Sequence, residues 1–446
     1  MEGSPVVPPA ASGGVRAPTS LWRHVQRAPY QLRLVWFLWF VVFYDPHRFL
    51  ALFLGGLVLK LPQLVFALMG VVVLTRWPPR TWYPAFLAYF SVVLVVIPFA
   101  VNPTVGSRAV KFIILEFVLA LATPMFIRTA RDWVPIVVIV ISSYLWYAVQ
   151  GVAHGFVPWH PIVGNQDGFG PHMLIGASLA YYVSQGTSLR WLQRLCLLTM
   201  VLGVLGLVTS FTRGATLAAI AVAGILWLRS PRKGRTAVAV AVGAVLLVIA
   251  AQIFFPAGAF WAEIRSVFEE GTESGTGSDR ITLWRAAWKV FLANPILGVG
   301  PNNFGPFAAE YFDYGEVGGD YMNPVTLYDR DLHSVYFTVL SESGMIGVVT
   351  FIVLLIDFWR RNRVLRTKWA NAVWQAGGGG EVDLRLFSLG LELAMIGFLL
   401  NGLFYPLLYV HWLYSFVFIN AALEFYVRDT KRRLQVRAAA PAGRSG

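Results

Sequence analysis

Long apolar runs separated by short polar or charged breaks dominate the chain, at residues 31–59, 61–76, 82–100, 109–127, 133–151, 170–185, 190–209, 214–228, 235–255, 334–357, 386–404 and 407–427. Most approach the roughly 20 residues that an α-helix needs to cross a bilayer core. No water is available there for backbone N–H and C=O groups, so such runs must close their hydrogen bonds internally, as helices. The pattern predicts an all-α integral membrane protein of about 12 transmembrane helices. Spans 1–9 fall within residues 31–255 and spans 10–12 within 334–427. The first run is broken at Asp45-Pro46-His47-Arg48 and is long enough for a span plus a re-entrant piece. A different pattern marks the long gap 256–333, where Ile281, Trp284, Trp288 and Phe291 recur three or four residues apart. That spacing predicts an amphipathic helix, ending at Asn294-Pro295.

Charge orients the predicted bundle, because loops rich in Lys and Arg stay in the cytoplasm. Alternate gaps carry Arg76 and Arg80, Arg128 and Arg131, Arg190 and Arg194, the run Arg229 to Arg235, and the cluster Arg360 to Lys368. The gap 256–333 instead carries eleven acids against five bases and is expected outside. Both termini are then cytoplasmic, with residues 1–30 a disordered tail and 428–446 a basic one. Residues 1–20 are rich in Pro, Gly, Ala and Ser and lack the apolar core of a cleavable signal peptide. Gly377 to Gly380 reads as a flexible linker.

Composition narrows the class. Of 446 residues 57% are hydrophobic and only 13% charged, where soluble chains average about 25% charged. The formal net charge of +13 invites a nucleic-acid reading, but most of it lies in the gaps that set topology, so no nucleic-acid partner is expected. A single cysteine, Cys196, excludes an internal disulfide and any CxxC site.

A few polar residues fall where topology does not require them. Arg213 stands at a very short outside turn between two spans, either as a snorkelling anchor or as an anion-binding group facing a cavity. Arg280 is expected in the first turn of the amphipathic helix, where backbone N–H groups also favour anions. Its planar fork can grip phosphate oxygens bidentately. His333 stands where the outside loop re-enters the membrane, either as a polar helix cap or as a neutral base, since an ordinary imidazole pKa of about 6.5 leaves much of it unprotonated at neutral pH. Asp331 is a candidate to orient it, and Asn165, Gln166 and Asp167 are candidates to bind sugar hydroxyls. His154, His160 and His172 flank the same loop but match no usual metal-ligand spacing. Asp329-Arg330-Asp331 has a DxD form, the mark of many enzymes using nucleotide sugars, but on the outside face it reads as a solvated loop.

Three stretches together carry a resemblance. Phe211-Thr212-Arg213-Gly214-Ala215, then Asp279-Arg280-Ile281 with Leu283-Trp284 and the run Asn294 to Gly300, then His333-Ser334-Val335-Tyr336 with Leu340, Glu342, Gly344 and Gly347, resemble the O-antigen ligase and polymerase superfamily over roughly residues 200–355. Ser334 stands where that family often has Asn. Asp45-Pro46-His47-Arg48 also looks like a motif of a protein O-glycosylation branch. The resemblance implies a glycosyltransferase of the C type in the bacterial inner membrane, using no cofactor and no metal. It would move a glycan from undecaprenyl diphosphate to a lipid A-core acceptor on the periplasmic face, with inversion. The family's two arginines and its histidine fall on Arg213, Arg280 and His333.

The chemistry of these residue types fits such a transfer. A sugar diphosphate already has a good leaving group, so the site must hold its growing negative charge and activate a hydroxyl. Fixed donors aimed at a developing charge contribute about 3 to 4 kcal/mol each, and a general base roughly 10²–10⁴ in rate. The expectation is that His333 takes the acceptor's proton while Arg213 and Arg280 bind the diphosphate. The same residues suit a polymerase of lipid-linked repeats or a protein-acceptor ligase. A lipid-linked sugar transporter is the competitor outside enzymes, but transporters commonly place polar groups at the midplane of repeated halves, and here they crowd at one face with no half-repeat.

Overall fold

The structure, a computed structural model, describes residues 70–71, 83–127, 129–154, 159–160, 164–210, 212–254, 258, 261–262, 265, 275–311, 328, 330–367, 370–371 and 381–439. It is mostly helical. In chain order the α-helices are α1 (Pro84–Val96), α2 (Pro103–Phe126), α3 (Trp133–His154), α4 (Gln166–Gly186), α5 (Arg190–Thr209), α6 (Arg213–Arg229), α7 (Lys233–Phe254), α8 (Gly275–Ala293), α9 (Phe304–Tyr311), α10 (Val335–Val364), α11 (Leu384–Asn401) and α12 (His411–Ala439). Two two-residue strands, β1 (Trp159–His160) and β2 (Gly164–Asn165), pair antiparallel just before α4.

The ten apolar runs from residue 82 onward each become a helix, and the runs at 31–59 and 61–76 lie almost wholly outside the described residues, as do the Asp45-to-Arg48 break, the first tail and the glycine linker. Among the described residues four helices are long and apolar enough to cross a membrane: Ala130–Ala153, Arg190–Thr209, Val335–Val364 and Leu384–Asn401. The predicted cytoplasmic tail is helical as far as Ala439, because α12 continues through residue 428. Pairs at i and i+4, Glu424 with Arg428 and Asp429 with Arg433, carry it beyond its apolar stretch.

Packing follows from small and aromatic side chains. α4 lies against α3, α5 and α11, α10 against α1 and α8, and α12 against α2. A Cβ on Gly176 would fall 2.6 Å from the Tyr144 ring, so α3 and α4 approach closely only because that residue has no side chain. Between α1, α2 and α12, Phe86 meets Phe418 edge-on at 4.8 Å and Phe117 at 4.9 Å.

Charged residues tie the helices together far from the ends where α6 and α10 begin. Glu392 on α11 is buried and accepts from Arg229, at the close of α6, at 2.8 Å and from Arg366, just beyond α10, at 2.5 Å. Glu424 on α12 pairs in the same way with Arg361 of α10 at 2.8 Å and with Arg428 at 2.5 Å.

α10 is two helices joined at a kink, where Gly344 has φ 64° and ψ −165°. The break frees backbone groups that must find other partners, and the loop after α8 supplies them. Met345 N–H donates to Pro295 O at 2.8 Å and Ile346 N–H to Ile296 O at 3.2 Å, while Val299 N–H reaches Ser341 O at 3.1 Å and Gly300 N–H reaches Glu342 O at 2.9 Å. Both crossing points need glycine. Gly344 and Gly298 have positive φ, and a Cβ on either would lie 2.5 Å or less from backbone atoms of the other segment.

Candidate functional site

Arg213 is the first residue of α6 and is half-buried. Thr212 precedes it in extended conformation, its hydroxyl 2.7 Å from that of Ser210. The first turn of α6 is pressed against the segment after α11. A Cβ on Gly214 would lie 2.8 Å from Phe404 Cβ, and Ala215 N–H donates to Tyr405 Oη at 3.3 Å.

His333 reaches the same segment from another direction. Val335 N–H, at the start of α10, donates to Gly402 O at 2.7 Å, and Val335 Cγ2 lies 3.0 Å from where a Gly402 Cβ would be. Two residues earlier His333 adopts φ +48°, followed by extended Ser334. Side chains other than glycine rarely occupy that region, at a cost of about 1–3 kcal/mol, and such outliers cluster at functional sites. Gly214 and Ala215, which follow Arg213, and Val335, two residues after His333, therefore pack on the same four-residue turn, Gly402 to Tyr405.

Arg280 arrives on α8. Its neighbour one turn on, Trp284, donates its indole N–H to Leu332 O at 3.0 Å and stacks on Phe337 at 5.1 Å. Residues at i and i+4 share a helix face, so Arg280 lies on the stripe that faces the 332–337 segment. It is half-buried there. The expected first-turn position is corrected: α8 begins at Gly275, which puts Arg280 in the second turn. Capping preferences amount to only about 1 kcal/mol, too little to stop the helix at Ser278 or Asp279. Arg280 thus contributes its own charge and does not share the first-turn N–H groups.

α4 completes the surroundings. A Cβ on Gly170 would fall 2.2 Å from Thr212 Oγ1 and 2.9 Å from Ala215 Cβ, so the second turn of α4 touches the start of α6. Asp167 lies one turn earlier in α4, and Asn165 in the hairpin before it, where Asn165 pairs with Trp159. The N-termini of α4, α6 and α10 thus gather in one region, and each carries a partial positive charge of roughly +0.5. Asp331 is exposed, two residues before His333. His172 is instead buried among the rings of Tyr144, Tyr147 and Trp412, with centroids at 4.5, 4.6 and 4.6 Å.

Sequence reasoning did not foresee what Glu342 does. Its carboxylate is buried in the second turn of α10 and accepts three hydrogen bonds: from Asn302 N–H at 2.7 Å, Phe304 N–H at 3.2 Å and Tyr409 Oη at 2.6 Å. It thereby fastens the segment after α8, and the loop before α12, to the helix that begins beside His333. An exchange between Asn102 and Asn303 adds the start of α2: Asn102 N–H donates to Asn303 Oδ1 at 2.7 Å and Asn303 Nδ2 to Asn102 O at 3.2 Å. The available signal was an acid well inside the apolar run 334–357, whose other acid, Asp357, stands at its very end; such an interior acid is costly in a membrane segment unless it has partners.

Residues 198–352 match the O-antigen ligase family. The matched stretch runs from within α5 to within α10, so it includes Arg213, Arg280, His333 and Glu342, and it is the family that the three sequence motifs resemble. The match points to a membrane protein of glycan-transferring type. No curated protein matches the chain.

Proposed function

We propose that the chain is an O-antigen ligase, which moves a glycan from undecaprenyl diphosphate to a lipid A-core acceptor at the periplasmic face of the inner membrane. One observation carries this reading: the starts of α6 and α10 meet at the turn Gly402 to Tyr405, and Trp284 holds the Arg280 face of α8 against the segment that contains His333. Two guanidinium groups and three helix N-termini suit a diphosphate, and the histidine suits a hydroxyl.

In the proposed step the acceptor oxygen forms a bond to the anomeric carbon of the donor as the bond from that carbon to the diphosphate oxygen breaks. The acceptor's proton passes to His333. The electron pair leaves on undecaprenyl diphosphate, whose added charge Arg213 and Arg280 hold. Attack from the side opposite the leaving group inverts the anomeric centre.

Purified protein incubated with lipid-linked glycan alone, and then with lipid A-core added, tests the reading. A ligase forms product only when the second lipid is present. Ladders formed without it identify a polymerase, and movement of glycan across liposomes with no new glycosidic bond identifies a transporter. Near-normal transfer by folded His333→Ala protein would remove the histidine from the mechanism.

A further inference from the structure

A cavity of about 180 Å³ reaches Leu332, the residue before His333, and is walled by the 302–306 segment, Tyr328, Arg330 to Leu332, Thr338 and Glu342 of α10, the start of α2 and the 406–409 loop. Its polar lining includes Asn302, Tyr328, Arg330, Asp331, Thr338 and Tyr409, with the bonded carboxylate of Glu342 behind them. Leu332, next to His333, forms part of the wall, and Thr338 Oγ1 donates to Ser334 O at 2.7 Å. The cavity and the histidine are thus held by the same turn of α10.

Its chemistry differs from that of the region around Arg213. Two acidic side chains line it against one guanidinium, and it lacks the cluster of cations that a diphosphate needs. Hydroxyl, amide and carboxylate groups offer donors and acceptors in mixture, which a phosphate, needing donors only, or an acyl chain, needing neither, would leave unmatched. Tyr328 Oη accepts from Asn102 Nδ2 at 2.7 Å and keeps its own hydrogen to give. The volume is below the roughly 300–1,000 Å³ of pockets that take drug-sized ligands and suits one neutral six-membered ring with several hydroxyls.

We propose that this cavity binds the terminal sugar ring of the acceptor, with Asp331 and Tyr328 holding its hydroxyls so that one of them faces His333. The assignment rests on the ligase reading for the identity of the acceptor, but binding can be measured without turnover. The donor is held elsewhere, at Arg213 and Arg280, so the two substrates have separable binding determinants.

The test is equilibrium binding of two probes to the full-length protein in detergent: lipid A-core, and undecaprenyl diphosphate-linked glycan. Asp331→Asn and Tyr328→Phe alter a single polar group each, at residues with exposed side chains. The expected result is a Kd for lipid A-core at least five times higher in each variant, with donor Kd within twofold of wild type. Removing the terminal sugar from the lipid A-core should weaken its binding to the wild type and erase the difference between wild type and variants. Unchanged acceptor binding in both variants, equal weakening of donor and acceptor, or failure of lipid A-core to bind the wild type each overturns the proposal. A failed two-lipid transfer assay with this binding pattern intact would instead count against the ligase reading alone.

Discussion

Replacing Glu342 by Gln changes no volume, yet it should loosen the site. In the wild type one carboxylate oxygen accepts from Phe304 N–H and the other from Asn302 N–H and Tyr409 Oη. An amide has one accepting oxygen, so in either orientation its NH2 group faces a backbone N–H that can only donate. Leaving one buried donor unsatisfied costs about 1–3 kcal/mol. Glu342→Ala strands both backbone donors and should cost about 2–6 kcal/mol, which approaches the whole stability of many domains, about 5–15 kcal/mol. Hydrogen exchange in the 295–305 segment reads the effect directly. A loss near 2 kcal/mol corresponds to about 30-fold faster exchange of the Asn302 and Phe304 amides, with α4 and α5 unchanged. Transfer should fall in the same variant because the segment that joins α8 to the His333 helix no longer docks firmly. Wild-type exchange in that segment together with wild-type transfer in Glu342→Gln would refute the clamp.

His333→Gly should reduce transfer by roughly 10²–10⁴ without lowering the melting temperature, since glycine accepts the φ of +48° that histidine adopts at a cost; a folded variant that still transfers normally would contradict the base assignment. Arg213→Ala and Arg280→Ala should each lower kcat by about 10²–10³, and Lys at either position should restore only part of it, because an ammonium lacks the planar fork; full rescue by Lys would argue against bidentate phosphate binding. Trp284→Phe keeps the stack on Phe337 and loses the bond to Leu332 O, so transfer should fall while stability drops by about 1 kcal/mol. Glu392→Gln, far from the site, removes the charge that pairs with Arg229 and Arg366 and should lower the melting temperature without changing transfer per folded molecule.

Where helices form was legible in the order of residues, because an apolar run of sufficient length has no other way to satisfy its backbone in a membrane. The run predicted at 190–209 became a helix with those same limits, and Asn294-Pro295 ended α8 as expected. The residue types that suit diphosphate and hydroxyl chemistry were also legible, since charge inside an apolar pattern stands out. Tertiary structure alone decided what those residues share. The turn that bonds to the starts of both α6 and α10 comes from residues 402–405, beyond the stretch that matches the family, and no local periodicity encodes which helix ends will meet there. His333 at positive φ and the three bonds to Glu342 belong to the same category. The bonds at that turn and at Glu342 join partners between about 40 and 190 positions apart, chosen by close packing at small residues and by buried polar groups that had to be satisfied. The acceptor cavity exists only as a consequence of those choices.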